Sequence, residues 1–264
     1  MTTRTRRSQR RTEALSRERI VAAAVEVLDA TGESGLTFRV LTERLATGPG
    51  AIYWHVANKG ELLAAATEAV VTAAVAPAVL AAAAPTEPGA SAAPGTAAET
   101  GTSTGAEGSA PHTAQRATAA PRETIRTVAL GLYDAIDTHP WLATQIAVQV
   151  SAGPGESVAP LIFETIGRQV RALGAPEPSR FVVTSVLVHY ILGAAGQNAA
   201  NARSAAAGRG RAEFLDSAAA TWQRLDPDDY PFLRSVADQM RVHDDREQFL
   251  AGIDLVLAGI ATLG

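Results

Sequence analysis

Between Pro49 and Leu63 the chain reads PGAIYWHVANKGELL. Tyr53, Trp54 and His55 stand side by side, and Lys59, the only lysine in the sequence, follows four residues after His55. A phenol, an indole, an imidazole and an ammonium are all hydrogen-bond donors, and the last carries a full charge. Three large polar-tipped side chains in succession cannot share one helix face, so part of the trio must meet something other than a core. Ile52 and Val56, four apart, take the inward side. That leaves Tyr53 and His55 on the exposed side, within reach of phosphates, while Trp54 falls between the two. Pro49, Gly50 and Ala51 are small enough for backbone to approach base edges and thymine methyls closely. Lys59 opens the next helix, where its ammonium and the unpaired N–H groups both favour a phosphate.

The elements that position these residues are short helices. Ser16 caps a first helix whose apolar positions Ile20, Ala24, Val27 and Leu28 lie on one face, and Gly32 and Gly35 end it. Thr37 caps a second, with Val40, Leu41 and Leu45 expected inward. The turn ATGPG follows, and Pro49 suits the first turn of a third helix of about 49–56, because its missing N–H costs nothing there. A fourth begins near Asn58 or Lys59 and is expected to reach about Ala76. Two short helices joined by a tight turn after a longer one form the helix-turn-helix layout, whose later helix enters a major groove by its N-terminal end.

Charge divides the chain in the same place. Residues 1–62 hold 10 Lys+Arg against 7 Asp+Glu, and the remainder 13 against 20, so a basic front precedes an acidic rear. Only the front is suited to a polyanion. Arg4, Arg6, Arg7, Arg10 and Arg11 make residues 1–15 a flexible basic arm, with a solvated tail as the plain alternative. There is no cysteine, which excludes disulfides and thiolate metal sites and fits a reducing cytoplasm. The apolar run from Ala64 to Ala84 is alanine-rich and interrupted by Glu68 and Pro77, so no membrane span is expected.

From Pro85 to Ala120 the sequence has no Ile, Leu, Val, Met, Phe, Tyr or Trp. Residues 77–120 therefore read as a disordered Ala/Pro/Gly/Thr-rich linker between a DNA-binding domain at 16–76 and a second domain at 121–264. Helical periodicity resumes at Pro121, with Ile125, Val128, Leu132 and Ile136 on one face, and continues to the end. The stretch FVVTSVLVHYILGAAGQNAANA is apolar on most faces, which points to burial on both sides. Strand alternation appears nowhere convincingly, so the fold class is all-α.

The string GLTFRVLTERLATGPGAIYWHVANKGELL resembles the DNA-binding segment of TetR-family regulators, and with the first helix the likeness covers about 16–70. HPWLA, VHYILG, YPFLRSVADQM and FLAGIDLVLAGI resemble, in that order, the tetracycline-repressor-like C-terminal domain. The resemblance implies that Thr37, Arg39, Tyr53, His55 and Lys59 hold DNA backbone or bases and that Pro49, Gly50 and Ala51 read the groove, with Trp54 beside them. It implies a C-terminal domain that binds a small inducer and dimerises through a four-helix bundle built from the long helix near 180–202 and the last helix, about 246–263. Three departures stand out. Ala46 occupies a turn position often held by Gly, Gly48 one often held by a capping Ser, and the 85–120 insert has no usual counterpart.

Candidate inducer contacts are Tyr133, Trp141, Gln145, Gln149, Phe163, His189 and Gln197, although the aromatics and His189 read at least as readily as core residues. In tetracycline-binding relatives a Glu helps to hold a metal near the place of Gln197. An amide is a poor replacement, so a metal–tetracycline inducer, and any cofactor or metal, is not expected. Enzymatic motifs fail: there is no HExxH, no GxxxxGK[ST] and no GxGxxG after a strand. The reading is a cytoplasmic, homodimeric transcriptional repressor that binds a near-palindromic operator and is released by a hydrophobic small molecule. The alternative is a structural DNA-binding protein without an inducer.

Overall fold

The computed structural model describes residues 15–83, 110–152, 158–208 and 210–263. The basic arm and the heart of the expected linker lie outside these. All regular structure among the described residues is helical, in two compact units, Met1–Ala69 and Val70–Gly264.

The first unit holds α1 (Arg17–Gly35), α2 (Phe38–Leu45), α3 (Pro49–Tyr53) and the opening turns of α4 (Lys59–Ala83). The Ser16 hydroxyl accepts from the Arg19 N–H and caps α1, as its position predicts. Regular geometry in α1 breaks at Gly32, whose φ of 68° only glycine adopts freely, and one further turn reaches Gly35. Ile20, Ala24, Val27 and Leu28 are buried with Leu36, Leu41, Ile52, Val56 and Leu62. Val40, expected inward, is 37% exposed. It sits about 100° around the helix from the fully buried Leu41, and an eight-residue helix has only one narrow inward stripe. Arg44 pairs with Glu26 and Arg17 with Glu61, tying α2 and α4 to α1.

The second unit contains the rest of α4, α5 (Ala110–Thr138), α6 (Leu142–Ala152), α7 (Ala159–Ala172), a single 3-10 turn at Glu177–Ser179, α8 (Arg180–Ala207), α9 (Arg211–Arg224), α10 (Pro231–Arg241) and α11 (Asp245–Ile260). Both edges of the expected linker are corrected. α4 runs past Ala76 and through Pro77 to Ala83, and α5 is already helical at Ala110. Lack of large apolar side chains removes burial, not helix propensity, and alanine has the highest propensity of all. α5 and α8 pack at the centre, with α7 and α11 on α8. Their shared core includes Ile125, Leu132, Ile136, Ile166, Leu187, Ile191, Phe249, Ile253 and Leu257. Near Gly131 the chain of α4 comes very close: a Cβ there would lie 2.2 Å from the carbonyl oxygen of Ala74. α9 and α10 form an antiparallel hairpin, joined to the body by the Arg211–Asp245 ion pair, with His243 on the same carboxylate.

Segments 59–81 and 177–204 are long and apolar enough to cross a membrane by length and composition. Both, however, carry interior faces, through Leu62, Ala66, Val71 and Val75 in one and Leu187, Val188, Ile191 and Ala195 in the other.

Candidate functional site

In the first unit Ile52 and Val56 anchor α3 and the turn after it, both almost completely buried. Opposite them the small residues Pro49 and Gly50 are exposed and Ala51 is half-buried. Tyr53 lies flat on Phe38 at the start of α2, ring centroids 4.6 Å apart and planes 16° apart, with half of its surface open. This stacking fixes the direction of the phenol hydroxyl and orders an exposed ring before any partner arrives. Trp54 resolves to the outside: it is 89% exposed, the most open of the large apolar side chains described. His55 is half-buried.

Thr37 is extended (φ −134°) and caps α2 by accepting from the Val40 N–H at 3.2 Å, which leaves its hydroxyl proton to give elsewhere. Arg39 is exposed and paired with Glu43 one turn on at 3.0 Å, a contact too solvated to hold it against a stronger anion. Lys59 is more constrained than expected. Its Nζ donates to the carbonyl of Glu33 at 2.7 Å, so the ammonium bridges the end of α1 and the start of α4 while two further N–H donors stay available. Asn58 accepts from the Glu61 N–H and Glu61 accepts from the Ala57 N–H, a reciprocal cap that holds this helix start in place. Ala46 takes the left-handed conformation (φ 50°, ψ 46°) that the turn demands, and Gly48 supplies no side-chain cap to α3. Phe38 and Glu43, the two residues that shape this edge most directly, were not singled out from the sequence. The adjacency of Phe38 to the cap Thr37 and the i, i+4 spacing of Arg39 and Glu43 were the available signals.

The second unit carries a groove of about 860 Å³ between the end of α4, α7 and the start of α8. Val79, Leu161, Phe163 and Phe181 give it apolar walls, and Arg168 and Arg180 reach its lining. Phe163 and Phe181 stack at 6.4 Å.

Two family models match in tandem. The one described as "Bacterial regulatory proteins, tetR family" covers residues 20–66, and "Tetracyclin repressor-like, C-terminal domain" covers 117–263, more than half of the chain. This chain belongs to the TetR family. The solved structure of SCO7222, a TetR regulator from Streptomyces coelicolor, is 56% identical, covers 95% of this chain and 99% of its own, and superposes with a TM-score of 0.74. BioQ from Mycobacterium smegmatis is 25% identical over 95% of this chain and all of its own, with a TM-score of 0.59. The class C tetracycline repressor of Escherichia coli is 47% identical over 58 residues, 22% of this chain and 26% of that protein. The chain thus spans about a quarter of the length of the curated relatives it matches.

The expected inducer contacts of this TetR-family chain scatter. Phe163 lines the groove. Gln145 and Gln149 are buried on the inward stripe of α6 with Leu142 and Ile146, and the Gln149 Nε2 has no hydrogen-bond acceptor among the described residues. Trp141 is buried next to His139. Tyr133 packs on Phe249 with the Arg246 guanidinium over its ring, and burial, helped by the Asp245 and Asp137 carboxylates, holds its phenol above the usual range. Two expectations are corrected. His189 is exposed on α8, not a core residue, and lies outside the lining of the groove. Gln197 is exposed as well and bonds Asn201 one turn on at 2.9 Å. Both lie on helix faces that their own unit leaves uncovered.

Proposed function

We propose that this TetR-family chain is a transcriptional repressor that binds a near-palindromic operator as a homodimer and leaves it when a small hydrophobic molecule enters the second unit. The observation that carries the reading is the edge made by Thr37, Arg39, Pro49, Gly50, Ala51, Tyr53, Trp54, His55 and Lys59. It combines small residues at a helix N-terminus, exposed aromatics that no core claims, and a pre-positioned ammonium. In a major groove, Pro49, Gly50 and Ala51 approach base edges, while Tyr53, His55 and Lys59 hold phosphates on either side.

Dimerisation is supported by two uncovered stripes. On α8, Val182, Val186, His189 and Gly193 follow one exposed face; on α11, Ala251, Leu255 and Ala258 do the same. Two such helices from each of two chains make a four-helix bundle, an isologous contact whose two-fold axis matches a palindrome. Release then works by differential binding: the molecule must favour a dimer whose heads are wrongly spaced for two successive grooves.

The direct test is recovery and sequencing of duplexes bound by the full chain from fragmented DNA. A shared inverted repeat is the expected outcome. Enrichment that follows base composition alone would favour a structural DNA-binding protein instead.

A further inference from the structure

The groove between α4, α7 and α8 has an asymmetry of charge that its two arginines obscure. Arg168 is matched in charge by Glu164, which accepts from its Nε at 2.6 Å and is the only carboxylate among the described lining residues. Arg180 has no such match. Its Nε donates to the Ala175 carbonyl at 3.1 Å, which braces the guanidinium against the turn after α7 and leaves both terminal nitrogens without a partner among the described residues. The lining therefore keeps one uncompensated positive charge, presented as a fork.

The other polar walls carry no charge, and Gln169 adds only a neutral amide. The Thr165 and Thr184 hydroxyls donate to their own helix at Leu161 and Arg180, 2.7 Å each, and turn only lone pairs outward. The apolar part of the lining is Val79, Pro160, Leu161, Phe163, and Phe181, which stays largely exposed although it stacks on Phe163. A volume of about 860 Å³ suits one small organic molecule. A fixed guanidinium fork at one end of an apolar slot matches a carboxylate in two-point geometry, and matches a neutral head poorly.

We infer that this groove binds an organic carboxylate with an apolar body, an aryl or medium-chain alkyl acid, its carboxylate on Arg180 and its body against Phe163 and Phe181. The inference rests on the reading of a small-molecule-responsive repressor and names the chemistry of the molecule.

The test is calorimetric titration of the full chain with 2-naphthoate and decanoate, each beside its primary amide of nearly equal shape. At least one acid is expected to bind about tenfold or more tightly than its amide, as a charge-assisted contact requires. Arg180→Met should abolish that preference while Phe163→Ala weakens acid and amide alike. Arg180→Lys, which keeps the charge without the fork, should retain part of it. Circular dichroism and melting of each variant separate loss of the site from loss of the fold. Equal binding of acid and amide, no binding of either acid, or a preference that survives in folded Arg180→Met overturns the assignment. Operator release is read separately. Acid binding through Arg180 with operator affinity unchanged keeps the site and removes the inducer role, whereas release by a molecule indifferent to Arg180 does the reverse.

Discussion

Leu255 and Leu257 are two residues apart on α11 and should fail in opposite ways when replaced by Glu. Leu257 is fully buried in its own unit, and its carbonyl accepts from Arg122. Leu257→Glu forfeits about 1.5–3 kcal/mol of leucine burial. It also leaves an unpaired charge in a closed core, which costs a further 3–5 kcal/mol or so. The sum approaches the whole stability of an ordinary domain, about 5–15 kcal/mol. The second unit should unfold. Leu255 is 75% exposed in the single chain, so Leu255→Glu should change the folding of that chain by no more than about 0.5 kcal/mol. Across a two-fold interface the loss counts twice. Three quarters of a leucine burial on each side amounts to about 2–5 kcal/mol, or roughly 30- to 3,000-fold in the dimer constant, before two facing carboxylates are added. Sedimentation velocity over a concentration series, with far-UV circular dichroism and operator titration, separates the cases. The expected result is a folded Leu255→Glu monomer with weakened operator binding and an unfolded Leu257→Glu. A Leu255→Glu protein that sediments as a dimer and binds the operator at full strength would refute the assignment of this face.

Three other predictions follow from single residues. Ala46→Gly relieves a left-handed alanine, worth about 1–2 kcal/mol, against about 0.4–1 kcal/mol of added chain entropy, so stability should rise by a net of about 0.5–1 kcal/mol, read as a higher urea midpoint at unchanged slope. Gly131→Ala pushes a methyl into the Ala74 carbonyl; it should lower stability by about 1–2 kcal/mol despite alanine's better helix propensity, and a raised melting temperature would mean that α4 shifts freely. Lys59→Ala should reduce the slope of log affinity against log salt by about 1, and also cost about 1 kcal/mol of stability through the lost bond to Glu33; an unchanged slope confines this lysine to its structural bond.

The helix-turn-helix was legible because each of its parts has a local signature. Ser16 and Thr37 cap, Pro49 starts a helix, and Ile52 and Val56 repeat every four residues. What the sequence hid was of two kinds. The contact of Phe38 with Tyr53 joins two helices, and no periodicity within either reveals it. The fates of His189, Leu255 and Leu257 were hidden because α8 and α11 are apolar nearly all round. Such a helix offers no contrast by which one face can be assigned to the chain's own core and another to a neighbour. The linker failed differently: its lack of large apolar residues bears on burial and says little about whether alanine-rich ends are helical.

Lys59 has one more consequence, which is chemical. Every other fixed cation in the sequence is an arginine, so this chain owns a single side-chain primary amine. An acylating reagent, or an acetyl-transfer enzyme, has one ε-nitrogen to modify. That nitrogen is already engaged with the Glu33 carbonyl at the edge proposed to meet DNA. One acylation there would remove the charge and two of the three N–H donors together. It would also place a reporter at a defined position, so the rate of labelling with and without duplex becomes a footprint of a single atom.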